Sequence, residues 1–206
     1  MFRQMKKKSM DAGKIADQAL QAPDLIRDLI AGLNAETAAV KYGCEKVLRI
    51  IGERRPGLLY PQFALFAGLL DCDNSFLKWG AILTIANLTA ADTENRFEPI
   101  FDKYFSAIPG PVMITAANTI RGSASIALAK PHLAERICDE VLKVAKGKYK
   151  TPECRNIAIG QAIDALDRFP DHIRNSDRVR RFVKKQLANT RAPVRKRAEK
   201  FLNRLQ

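Results

Sequence analysis

Val40-Lys41-Tyr42-Gly43-Cys44 reads in isolation as a stretch of amphipathic helix: an apolar residue, a cation, an aromatic and two small residues. Its weight comes from recurrence. Leu77-Lys78-Trp79-Gly80-Ala81 follows 37 residues later. Met113-Ile114-Thr115-Ala116-Ala117, Cys154-Arg155-Asn156-Ile157-Ala158 and Val194-Arg195-Lys196-Arg197-Ala198 come next, at intervals of 36, 41 and 40. A small residue holds the fifth place in all five, which lets helices approach closely, and a cation holds the second place in four. Self-similarity at this period is the signature of stacked helical hairpins, none of which can bury its apolar face alone.

Outward from these segments, apolar residues keep a spacing of three and four, while strand-like alternation and Asn-Gly turns are absent. The breaks fall at Pro56-Gly57, Pro61, Asp71 to Asn74, Pro109-Gly110-Pro111, Pro131, Thr151-Pro152, Pro170 and Pro193. They predict hairpins pairing 23 to 32 with 36 to 54, 61 to 70 with 75 to 90, 96 to 107 with 110 to 128, 131 to 145 with 151 to 168, and 175 to 188 with 192 to 205. A helix near residues 10 to 20 caps the stack. The organisation is therefore a basic tail plus capping helix over 1–22 and one stack over 23–206, with repeats at about 23–57, 58–92, 93–129, 130–170 and 171–206.

The recurring segment resembles the second helix of HEAT repeats, which typically opens with a valine, an arginine and a run of alanines. The resemblance spans roughly residues 23 to 206 and departs in the third copy, where Ile114 replaces the cation. It implies an all-α fold: a right-handed α-α superhelix, or α-solenoid, of about five HEAT-like hairpins, whose curved inner surface takes a protein partner. Armadillo repeats need a third short helix for which these connections leave little room, and TPR repeats are shorter. In HEAT proteins the second-place cation commonly bonds the turn of a neighbouring repeat. Lys41, Lys78, Arg155 and Arg195 thus read either as turn locks or as an inner ladder for an anion.

The formal charge of +13 is unevenly placed. Residues 1 to 8 carry four cations and no acid, residues 174 to 206 carry twelve cations and two acids, and the stretch between is nearly neutral. In the last repeat Arg174, Arg178, Arg181 and Lys185 form one helical stripe, with Val179, Phe182, Val183 and Leu187 opposite. On the following helix Arg197, Lys200 and Arg204 form a second stripe, near Arg191, Arg195 and Lys196, against the apolar Val194, Ala198, Phe201 and Leu205. A terminal repeat needs a polar outer face for solubility, yet solubility does not require one sign of charge. Uncompensated repulsion of this kind is relieved by a phosphate backbone, an acidic protein or an anionic lipid surface, and arginine favours bidentate contacts to phosphate or carboxylate.

Catalytic and metal chemistry find little footing. Cys44, Cys72, Cys138 and Cys154 contain no CxxC pair, and with only His132 and His172 available no zinc spacing appears; the thiols read as reduced and partly buried. The loop Lys146-Gly147-Lys148-Tyr149-Lys150 lacks the upstream glycine and preceding strand of a P-loop and reads as a solvated turn. Tyr42 and Trp79 hold the same place in consecutive repeats, which makes them either core aromatics or a stacking pair on the inner surface. Some HEAT-like solenoids are DNA alkylpurine glycosylases, which use inner tryptophans and a carboxylate. Here Trp79 is the lone tryptophan, with no acid at an equivalent inner place beside it, and Asp164 and Asp167 belong to a distant repeat. No cofactor, metal or catalytic residue is assigned. With no run of about 18 apolar residues and no apolar leader core, the chain reads as a cytoplasmic binding module, the alternative being a nucleic-acid-binding protein related to those glycosylases.

Overall fold

The computed structural model describes residues 10–174 and 176–204, and every regular element among them is helical. The basic run at residues 1 to 8 and the terminal Leu205 lie outside the described residues. No described helix is long and apolar enough to cross a membrane. The chain divides into two compact units, residues 1–98 and 99–206.

The first unit contains α1 (Ala12–Gln21), α2 (Asp24–Gly32), α3 (Ala38–Arg54), α4 (Pro56–Leu59), α5 (Phe63–Leu69) and α6 (Ser75–Leu88). Helix starts follow local chemistry: the carboxylate of Asp11 accepts the Lys14 N–H at 3.0 Å, and the Asn74 amide oxygen accepts the Leu77 N–H at 3.1 Å. Pro56, which cannot continue α3, opens α4. Helix α3 is the centre of the unit, packed on α1, α2 and α6, while α5 packs on α6. Leu29, Cys44, Val47, Leu48, Ile51, Leu59 and Ile85 are fully buried there.

The second unit contains α7 (Phe101–Phe105), α8 (Met113–Ala129), α9 (Ala134–Leu142), α10 (Pro152–Leu166), α11 (Ser176–Lys185) and α12 (Ala192–Asn203). Helix α10 packs on both α8 and α12, α9 packs on α8, and α11 packs on α12. The Thr151 hydroxyl caps α10 by accepting the Cys154 N–H at 3.1 Å, with Pro152 in the first turn where no N–H is needed. Ile120, Ile137, Val141, Leu166, Val183, Val194 and Ala198 make the buried seam.

The sequence period returns as a period of contacts. Side chains bridge residues one repeat apart: Arg54 to Asp17 and Asn74 to Tyr42 in the first unit, and Arg136 to Asp102, Asn156 to Thr190 and Arg204 to Asp167 in the second. Successive hairpins are thus tied laterally within each unit.

Four local expectations change. The third copy of the recurring segment shifts, because Met113 opens α8 whereas Val40, Leu77, Cys154 and Val194 are each third in their helices. Thr115 is the equivalent residue, and Asn118, Thr119, Gly122 and Ser123 are buried along the seam together with Ala116, Ile120 and Ala124. The helix expected over 96 to 107 contracts to Phe101–Phe105, preceded by a 3₁₀ turn. Pro99 has no N–H and its ring opposes a preceding α-helical turn, Asn95 takes a φ of 54°, and the Asp92 carboxylate takes the Arg96 and Phe97 N–H groups at 2.7 and 3.1 Å. Leu187, expected on the apolar side, sits in the 3₁₀ turn after α11 and is 42% exposed. Arg174 precedes α11, so the stripe expected from that residue begins at Arg178.

Candidate functional site

Helix α11 segregates sharply. Val179, Phe182 and Val183 are buried, while Arg180, Arg181, Lys184 and Lys185 are exposed. At about 100° per residue the four cations lie within an arc of about 140°. Arg178 sits at the rim of that arc, where it meets the neighbouring hairpin.

At the rim Arg178 has a different occupation from the other cations of the arc. Its guanidinium bridges the carboxylates of Glu135 and Asp139 on α9 and donates to the Glu135 carbonyl at 3.3 Å, and its side chain is only 22% exposed. Helix α12 repeats the pattern toward α10. Arg197 pairs with Asp164 at 2.9 Å, Arg204 with Asp167, and Arg191, which caps the helix, with Glu153 at 2.6 Å. Asp164 is held above its usual carboxyl range by burial, and the Arg197 charge offsets part of that rise. Arg195 donates to the Asn189 and Thr190 carbonyls at 2.7 and 3.1 Å, locking the turn before its own helix.

The ten cations singled out in the sequence therefore divide in two. Arg178, Arg191, Arg197 and Arg204 are neutralised by acids of the preceding hairpin, and Arg195 serves backbone carbonyls. That corrects the expectation that the charge of the last repeat is uncompensated. Arg174, Arg181, Lys185, Lys196 and Lys200 remain exposed. Arg180 and Lys184, which the stripe reading passed over, join them on α11. Their signal was present in the sequence: a run of apolar residues at 179, 182 and 183 leaves 180, 181, 184 and 185 on the opposite side.

The aromatic pair expected at Tyr42 and Trp79 is interrupted. Phe76 stands between them, its ring centroid 4.9 Å from Tyr42 and 5.2 Å from Trp79, with Phe76 itself 57% exposed. The Tyr42 hydroxyl accepts from the Asn74 side chain at 3.1 Å, so it braces the cap of α6. These rings touch one another and leave no slot for a base between them.

An acid lies against Gly80, the residue after Trp79. The Glu45 carboxylate on α3 occupies the space that a side chain at Gly80 would take, since an added Cβ would fall 2.0 Å from its Oε1. Glu45 is 17% exposed, its nearest cation is Arg49 at 3.5 Å, and Oε1 is buried with no hydrogen bond. Burial raises its pKa, with Arg49 countering. The oxygen is shut into the helix contact, away from any ligand's approach.

The turn at residues 146 to 150 exposes Lys146, Lys148 and Lys150 and is anchored through its backbone and Tyr149. The Tyr149 hydroxyl donates to the Ile108 carbonyl, and the Lys148 N–H donates to the Pro109 carbonyl at 2.7 Å. Burial pushes the Tyr149 hydroxyl up to about 12.

No family model and no curated protein matches the chain in sequence. The crystal structure of an engineered protein of the Northeast Structural Genomics Consortium is similar to it with a TM-score of 0.55, over 98% of this chain and 94% of that one, at 15% identity. A likeness at that identity concerns the all-helical fold alone.

Proposed function

We propose that the chain is a non-catalytic binding module of the HEAT-like α-α superhelix type. In this reading the exposed cations of the last hairpin take an anionic partner, and the remaining helical surface takes a protein. The observation that carries it is the division of the cations. Arginines with a structural task are each matched by an acid or a carbonyl, whereas Arg180, Arg181, Lys184 and Lys185 form two adjacent i,i+4 pairs of like charge in solvent. Each such pair costs a helix about 0.2–0.5 kcal/mol, which a bound anion reverses. Lys196 and Lys200 extend the surface on α12. The single sign of charge favours a phosphate backbone as that anion, which makes nucleic-acid binding the second reading.

The test is a titration of the whole chain with a short DNA duplex and with an acidic peptide across a series of salt concentrations. Duplex binding through four to six of these cations gives a log–log salt slope of about −4 to −5. Charge reversal at Arg181, Lys185 and Lys200 is expected to abolish it. Binding of both probes that survives those substitutions removes the basis of the proposal.

A further inference from the structure

The cations of α11 diverge along a convex helix, as suits a polymer. A second group converges. Lys146, Lys148, Lys150 and Arg155 line one shallow cleft of about 340 Å³, together with Gly147, Tyr149, Thr151 and Pro152. No acid lines it, and among the described residues none of the four cations has an ion-pair partner.

The loop that carries them is held in shape. Besides the two hydrogen bonds to Ile108 and Pro109, it closes on Gly110, whose φ of 104° is in the region favoured by glycine. A Cβ at Gly110 would fall 2.5 Å from the Lys148 carbonyl oxygen. Four like charges are therefore carried on a backbone of fixed shape, with their exposed side chains lining one cleft, an arrangement that binding of an anion stabilises. The first turn of α10 contributes little itself: Pro152 has no N–H, the Cys154 N–H is taken by the Thr151 hydroxyl, and the Arg155 N–H by the Thr151 carbonyl. Recognition must come from the side chains.

We propose that this cleft is a receptor for a small phosphorylated molecule, with Lys146, Lys148, Lys150 and Arg155 gathered on its phosphate or pyrophosphate group. Convergence of four cations suits a compact ligand of charge two or more, since a single negative charge leaves most of the repulsion in place. The volume lies at the small end of the usual range for ligand pockets, about 300–1,000 Å³, and so admits a phosphate with a sugar-sized body. Arg155 supplies the planar fork for bidentate contact, and the three lysines supply point charges.

The full-length chain, labelled with ¹⁵N, is titrated separately with inorganic phosphate, pyrophosphate, adenosine monophosphate and a single-stranded oligonucleotide. Pyrophosphate is expected to bind saturably in the range of about 0.01–1 mM, with amide shifts centred on residues 146–155. Lys148→Gln with Arg155→Gln, both exposed positions, is expected to weaken it about tenfold or more, while Arg181→Glu with Lys185→Glu leaves it unchanged. Shifts spread over α11 and α12, or a linear titration without saturation, reduce the effect to general attraction by a basic chain and overturn the proposal. Tighter binding of the oligonucleotide at residues 146–155 overturns it in favour of a polymer site. The α11 variant separates this result from the reading of the last hairpin, because each site fails through its own substitutions.

Discussion

Arg178→Ala tests whether the last hairpin is held by its arginines or only decorated with them. The side chain is 22% exposed and spans two carboxylates, Glu135 at 32% and Asp139 at 58% exposure. A solvent-exposed ion pair contributes about 0–1 kcal/mol, and breaking a fully buried one costs about 3–5 kcal/mol. Arg178 lies between these limits: its own stem is mostly covered, while its partners keep much of their hydration. Removal is therefore expected to cost about 2 kcal/mol. For a chain of 206 residues that corresponds to a fall in Tm of about 4–8 °C. The Arg178 charge also opposes the rise to about 11 that burial imposes on the Cys138 thiol. The assay is urea denaturation followed by far-ultraviolet circular dichroism, with Arg181→Ala as the matched control at an exposed neighbour, expected within about 0.5 kcal/mol of wild type. A double-mutant cycle with Glu135→Ala should return a coupling of about 1 kcal/mol. Equal stability of Arg178→Ala and Arg181→Ala, or a coupling indistinguishable from zero, refutes the division of the cations into structural and free.

Glu45→Gln should change the pH dependence of stability. A carboxyl whose folded pKa is raised favours the fold below its unfolded value, and that contribution is lost as pH rises through the folded pKa. The variant should therefore gain on wild type as pH rises above the ordinary glutamate value of about 4.3 in denaturant titrations, and a difference that does not vary with pH contradicts the burial of the carboxylate. Phe101→Ala removes a fully buried ring that stacks on Phe105 at 4.6 Å and carries the Arg136 guanidinium at 3.8 Å, so a loss of about 3–5 kcal/mol is expected, and less than about 1.5 kcal/mol would mean the second unit has no defined core there. Phe76→Ala, at an exposed ring, should leave Tm within a few degrees of wild type in a thermal melt. A thiol titration with Ellman's reagent should find Cys72 and Cys154 fast, and Cys44 and Cys138 protected until the chain unfolds, both of the latter raised to about 11 by burial.

Much of the helical plan was present in the chain as local chemistry. Asn74 and Thr151 start helices by satisfying an orphan N–H three residues on, Pro56 and Pro152 mark where one helix cannot continue into the next, and apolar spacing shows which side each helix buries. These signals act over a turn or two, so they survive in the sequence. The third copy of the motif shows their limit: a register set on Met113 falls two residues early, because Asn118, Thr119 and Ser123 share the buried seam with Ala116 and Ile120 and blur the apolar pattern.

By itself the sequence determined that the chain is helical, that a unit recurs at about 40 residues, and that the last unit is strongly basic. Only the tertiary structure decided what those charges do. Whether Arg178 is a free cation or a tie depends on Glu135 and Asp139, placed 43 and 39 residues away and brought together by the stacking of α11 beside α9. The same stacking placed Phe76 between Tyr42 and Trp79, and Glu45 against Gly80. Charge and ring type are properties of a residue, whereas compensation and exposure are properties of its neighbours. Here those neighbours lie 39 and 43 residues away for Arg178, out of reach of any reading of local pattern.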